Sequence, residues 1–378
     1  MINELTLTGT PFMTMSALFE LLGDGAVLAI GGGLSGLAFG ALAQHSQFCM
    51  RAATIEVARG EWGQRLAVWV LGFGTAVALT QAVILAGIFD PGAARQIALP
   101  GSLSGAIIGG LLFGVGMILS RGCASRLVVL AATGNVRALV TVVVMALVAI
   151  ATIRGVLVPA REMITTLWPI EPGPARNWLT SLGLPPSATP VIGILIGSVW
   201  LAFGVILARR TGVGVSTAVA GALIGVAIVA AWLLTYALSF QLFEPVQITS
   251  ISFIAPSVET VSALTTTWKL PSTFDGGLIP GVAVGSFVMA LITRQLKLQV
   301  FDSWSSVLRY LSGAVLMGFG GVLAIGCSVG AGLTGGSIFA LTAWVSLIAM
   351  WVSAMLTDRL VDQTVRSHMP APVAVSAC

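Results

Sequence analysis

Charge is what this chain has least of. Only 8% of its 378 residues are Asp, Glu, Lys or Arg, and 57% are hydrophobic, whereas a soluble domain carries roughly 25% charged residues. Water is therefore not the solvent for most of the surface, and the net charge of +4 does not point to nucleic acid. Histidine is scarcer still, with His45 and His368 the only two. Without a C-x-x-C pair or neighbouring histidines, no structural zinc site is expected, and nothing calls for a cofactor. No Ser-His-Asp set, nucleotide-binding glycine motif or carboxylate pair lies in the apolar stretches, so the chain does not read as an enzyme. Acids are nearly missing from those stretches, which removes the ionisable groups that proton-coupled pumps place inside the membrane. The first 25 residues hold Glu4, Glu20 and Asp24 but no Lys or Arg. They lack the basic start of a cleaved secretory signal, and the N-terminus is read as retained.

Apolar runs are present in abundance. A membrane span needs about 20 apolar residues, and nine segments qualify: 25–44, 66–89, 101–120, 138–158, 191–208, 215–238, 278–293, 311–325 and 338–356. Basic residues then fall unevenly. Arg51, Arg59, Arg65, Arg121, Arg126, Arg137, Arg209, Arg210, Arg294, Lys297, Arg309, Arg359 and Arg366 lie on one side, against Arg95, Arg154, Arg161, Arg176 and Lys269 on the other. The positive-inside rule puts the first group in the cytoplasm, the N-terminus outside and the C-terminus inside. The fold expected is all-α, a polytopic integral membrane protein with two pseudo-symmetric halves. Residues 1–158 form the first half, 159–190 an outer linker loop, 191–356 the second half, and 357–378 a cytosolic tail. The seventh and eighth segments read as unusually short, the pointer to broken or re-entrant helices around a midplane site.

Cysteine is sparse too, at four residues, but three of the four share a setting. SGLAFGALAQHSQFC ends at Cys49, GGLLFGVGMILSRGC at Cys123 and GAVLMGFGGVLAIGC at Cys327, with Gly40, Gly114 and Gly318 at the same offset. The last two also match Gly116 with Gly320 and Gly122 with Gly326, the mark of a diverged repeat. By the span count the third copy runs opposite to the first two, which brings cysteines together from opposite faces. A single buried Cys is ordinarily a small hydrophobe; three at equivalent breaks are candidates for a pathway. Arg51, Arg121 and Arg126 stand within three residues of Cys49 or Cys123, as an anion lure or as ordinary positive-inside anchors. Helices restarting after the breaks would offer N-terminal N–H groups to an anion. The run Gly330 to Gly336 is expected to leave further backbone donors facing a cavity.

At these residues the chain resembles the YeeE/YedE family of sulfur-transport, thiosulfate-uptake membrane proteins. The likeness runs through SQFCMRAA (46–53), GCASRLVVLAATGNVRALV (122–140), IRGVLVPAR (153–161) and GCSVGAGLTGG (326–336). Val329 and Ala331 stand where the third motif of the family often has Ser and His. The resemblance implies a helical hourglass in a bacterial inner membrane and uptake of thiosulfate or a related small sulfur-containing anion from the outer face. It assigns ion contact to Cys49, Cys123 and Cys327, and it implies a small cytosolic sulfur-carrier protein as partner. Gly122, Gly326 and Arg126 complete the expected pathway. A membrane sulfurtransferase or thiol oxidoreductase, and a sulfur-compound-binding regulatory protein, are the other classes left open.

Overall fold

The computed structural model describes residues 23–185, 187–241, 246–266 and 271–363. Glu4, Glu20, Lys269 and the tail carrying Arg366, His368 and Cys378 lie outside the described residues. A bilayer core offers the backbone no water, so a spanning segment must satisfy its own N–H and C=O groups, and the helix is the local solution. The described residues hold nine segments long and apolar enough to span, in the order expected. Six are 19 to 25 residues long. The other three, Asp24–Ala58, Leu103–Ala132 and Trp304–Gly335, run to 35, 30 and 32 residues, well past the roughly 20 that a bilayer needs. These three contain the cysteines, and each is interrupted there.

The first interrupted unit is α1 (Asp24–Ser46) followed by α2 (Met50–Ala58), with α3 (Gln64–Leu85) returning beside it. A short α4 (Arg95–Ala98) leads to the second unit, α5 (Leu103–Leu119) and α6 (Ala124–Ala132), and then α7 (Val136–Arg154). The 159–190 stretch is folded rather than open. It holds α8 (Val158–Thr165) and α9 (Trp178–Ser181), and its strand β2 (Pro169–Ile170) pairs antiparallel with β1 (Gly101–Ser102). Then come α10 (Thr189–Arg210), α11 (Val215–Ser239), α12 (Ile254–Thr266) and α13 (Phe274–Ile292). The third interrupted unit is α14 (Trp304–Leu323) with a π-helix (Ser328–Gly335), closed by α15 (Leu341–Thr357).

Two expectations are corrected. The seventh and eighth segments are not short: α13 has 19 residues and α14 has 20. Their polar first turns belong to the helices, because Thr273 and Ser303 accept hydrogen bonds from the N–H groups of Gly276 and Ser306 and so start each helix earlier than apolarity alone suggests. The glycine run after Cys327 is likewise no irregular break. Residues 328–335 form a continuous π-helix buried along its whole length, so its interior N–H groups are used within the helix.

Glycine sets how these helices meet. Gly32, Gly36 and Gly40, one helical turn apart on α1, lie against the carbonyls of Phe274, Leu278 and Val282 on α13; in return Gly277, Gly281 and Gly285 lie against the carbonyls of Ala29, Gly33 and Leu37. The two helices run parallel in a backbone-to-backbone seam, the small-xxx-small packing that replaces hydrophobic driving force in lipid. Gly109 and Gly116 of α5 meet Gly320 and Gly313 of α14 in the opposite sense. The α5 and α14 helices are therefore antiparallel, and the breaks that follow them approach each other from opposite ends. At the basic end, Arg59 clasps the buried Asp358 with both Nε (3.1 Å) and NH2 (2.9 Å), tying the loop after α2 to the end of α15.

A leucine in the α1–α13 seam has nowhere to go. Gly281→Leu should cost more than the roughly 1–3 kcal/mol of ordinary overpacking, because the obstacle is backbone. Fluorescence-detected gel filtration should show a collapse of the folded peak, whereas Gly214→Leu, where an added side chain meets only Thr217 Oγ1 at 3.9 Å, should leave the peak in place.

Candidate functional site

All three interruptions have the same construction. Gln47, Arg121 and Ile325, each two residues before a cysteine, adopt the left-handed conformation at φ 53, 55 and 54. The residue just before each cysteine, Phe48, Gly122 or Gly326, donates its N–H back to the carbonyl of Ala43, Met117 or Gly321. This Schellman closure satisfies the end of the preceding helix. The cysteine itself is extended and caps the next helix, α2, α6 or the π-helix. Cys327 Sγ accepts from the Gly330 N–H at 3.4 Å, and the thiols of Cys49 and Cys123 face the matching amides of Ala52 and Arg126. A thiol thus occupies the place that Ser, Thr or Asp takes in an ordinary N-cap.

The three caps converge. Cys49 and Cys123 are in hydrogen-bonding contact with one another, Cys123 also touches Ser125 Oγ at 3.4 Å and faces the Ser328 hydroxyl, and Ser328 is the neighbour of Cys327. All three are free thiols and buried, Cys123 and Cys327 completely. Three helix N-termini, whose first-turn N–H groups have no partner within their own helices, point at one cluster of soft sulfur and hydroxyl groups. Arg126 is buried beside Cys49 and donates to Gln44 Oε1 at 3.3 Å. Among the described residues, no group of His, Cys, Asp or Glu could hold a metal ion. The cluster suits a small anion with a polarizable end.

Gly122 and Gly326 sit at the breaks as expected, but their own amides are spent on helix closure. The amides that face the thiols belong to the turns after the cysteines. Arg121 is exposed and Arg51 half-buried. Arg154, exposed, donates to Ser262 Oγ at 3.4 Å.

A cavity of about 540 Å³ opens at the end opposite the Arg59–Asp358 clasp and reaches Gly326, next to Cys327. Arg95, Arg161 and Arg176 line it together with Asp275 and Ser252. These arginines entered the sequence reading only as exceptions to the positive-inside count. That exception was the signal, since a cation kept on the disfavoured side has some other reason to be there. Below the cavity, Phe253 meets Phe39 in a tilted contact at 5.2 Å between ring centroids, and Phe39 meets Phe48 edge-on at 6.5 Å. All three rings are buried and close the space around the thiols.

The family model described as Sulphur transport matches residues 45–356, from just before the first break to the end of α15. The thiosulfate transporter TsuA of Escherichia coli (strain K12) is 27% identical over 380 residues, covering 91% of this chain and 98% of the relative. The protein of the same name from Spirochaeta thermophila is 26% identical, covering 86% and 98%. The probable transporter YedE of Salmonella typhimurium is 34% identical over 87 residues, 22% of each chain.

Left-handed Ile325 is the most strained of the three closures, because a β-branched side chain is poorly accommodated there. Ile325→Gly should relieve about 1–2 kcal/mol and raise the unfolding temperature in detergent, while Ile325→Val should bring no gain.

Proposed function

Since the chain belongs to the sulphur transport family, we propose that it carries thiosulfate, or a closely related sulfur anion, into the cell past Cys49, Cys123 and Cys327. The observation that carries this reading is the convergence of three cysteine-capped helix N-termini at one buried point beneath an arginine-lined cavity. Thiosulfate has a hard sulfonate end and a soft terminal sulfur. N–H groups of the restarting helices suit the first, and thiols, which are weak donors and polarizable neighbours, suit the second. Serial weak contacts let an ion enter and still leave.

The path runs from the cavity at Gly326 to Cys327, through Ser328 to Cys123, and on to Cys49 beside Arg126. Because α5 and α14 are antiparallel, Cys327 belongs to the break facing the cavity, and Cys49 and Cys123 to the breaks facing the basic end. The basic end is cytoplasmic in this reading, in the inner membrane of a bacterium, and the cavity faces out. Carrying two negative charges inward against about 100 mV costs roughly 4.6 kcal/mol. Removal of the ion inside by a small cytosolic sulfur-carrier protein supplies the gradient. Pseudo-symmetry of the halves before and after residues 159–190 accounts for breaks that face both ways.

Uptake of radiolabelled thiosulfate into vesicles containing only this protein is the direct test. Cys123→Ala and Cys327→Ala should each bring uptake to the level of empty vesicles with unchanged protein abundance, and Cys378→Ala should have no effect. Full uptake by both single variants would return the thiols to a packing role.

For orientation, a reporter active only outside the cytoplasm should work when fused near Thr265 and stay silent near Arg59. The reverse pattern would invert the path.

A further inference from the structure

The cavity holds a charged group that its surroundings do not compensate. Arg176, on the turn Pro174–Arg176, is 1% exposed. Its NH2 donates to Thr342 Oγ1 at 3.1 Å, while Nε and NH1 are buried with no partner. It forms none of the ion pairs among the described residues. Burial lowers the pKa of the guanidinium, and no charged neighbour contributes, yet an arginine stays protonated in such settings. Two idle donors on a desolvated cation are destabilising unless something fills them.

The placement is rigid. Trp178 N–H donates to Phe339 O at 3.0 Å and Asn177 Nδ2 to Ile338 O at 3.3 Å, which pins the turn to the chain just ahead of α15. Gly101 lets the guanidinium lie against β1, where any side chain would collide with it. Arg95 lines the same cavity, also with a buried, unpartnered Nε, and Asp275 is close enough to act on it electrostatically. Arg161 is engaged by Glu162 and the Ile153 carbonyl. Arg176 is thus the cation in the cavity with donors to spare and no acid beside it.

We propose that Arg176 is the recognition residue of an outer binding site, separate from the thiols, that grips the oxyanion end of a tetrahedral dianion before it reaches Cys327. A planar guanidinium presents paired N–H groups at the spacing of two oxyanion oxygens, which an ammonium cannot reproduce. The site reads oxygen and the thiols read sulfur, so selectivity is divided between two stations. Sulfate, with the same oxyanion face and no soft sulfur, should occupy the first station and fail at the second. This inference rests on the transport reading above and deepens it.

The test uses the full chain in vesicles. For the wild type, sulfate should inhibit thiosulfate uptake competitively without being carried. Arg176→Gln should raise the KM for thiosulfate about tenfold or more, as expected for loss of a charge-assisted pair, with Vmax little changed and the inhibition by sulfate gone. Arg176→Lys should restore part of the charge but not the KM. An unchanged KM in Arg176→Gln, with thiosulfate uptake intact, would overturn the inference and leave the transport reading standing. Absence of thiosulfate uptake in the wild type would instead defeat the transport reading and the inference that rests on it. If neither variant folds, the wild type decides: competition by sulfate supports the site, and no effect of sulfate at concentrations well above the thiosulfate KM rejects it.

Discussion

A helix broken inside a bilayer must find partners for both broken ends within the protein, because the solvent offers none. The rest of this structure follows from how that requirement is met three times over. A left-handed residue folds the preceding helix shut, and a cysteine opens the next one. The first half of the device hides backbone carbonyls. The second half turns first-turn N–H groups, which have no partner within their own helix, toward a common centre. A thiol is a weaker acceptor than a hydroxyl or carboxylate, so the cap it makes is a loose one, and the amides it serves stay open to competition from an anion. Helix closure and the thiol cluster are thus built from the same few residues.

Keeping such breaks at membrane depth requires the surrounding helices to be stiff and close. The glycine seams do this by removing side chains from the contact, so that α1 meets α13 and α5 meets α14 through backbone. The antiparallel α5–α14 seam has a second effect. It places a break opening toward one face against a break opening toward the other, so the thiols meet in a buried centre with a cavity on one side. Phe39, Phe48 and Phe253 are buried in contact with one another in the same core as the three thiols.

Much of this was legible in the sequence because lipid simplifies the code. Apolar length gave the nine spans in order, and the three cysteines with their shared glycine offsets marked the breaks. Other features depend on geometry that composition does not carry. The π-helix was misread as an open glycine run, since glycine content alone cannot separate a buried helix from an irregular loop. The starts of α13 and α14 were placed late, because apolarity ignores the capping hydroxyls of Thr273 and Ser303. Gly122 and Gly326 were placed on the pathway, whereas their N–H groups close the helices before them. Arg176 was legible as a basic residue on the disfavoured side, but its isolation from any acid is a fact of tertiary structure.

The pairing of α1 with α13 also dictates an order of manufacture. A ribosome adding about 5–20 residues per second completes α1 roughly 10–45 s before α13 emerges, about 230 residues later. During that interval the glycine face of α1 has no partner of its own. Lipid tails cover it at little cost, since a glycine stripe in hydrocarbon exposes neither charge nor unsatisfied backbone. A shorter delay, about 185 residues, separates the end of α5 from the start of α14. Early helices therefore enter the membrane as independent rods, and the central site comes into being only when the last third of the chain arrives to lock them together. A nascent chain arrested before α13 would be inserted, helical and without the three-thiol centre.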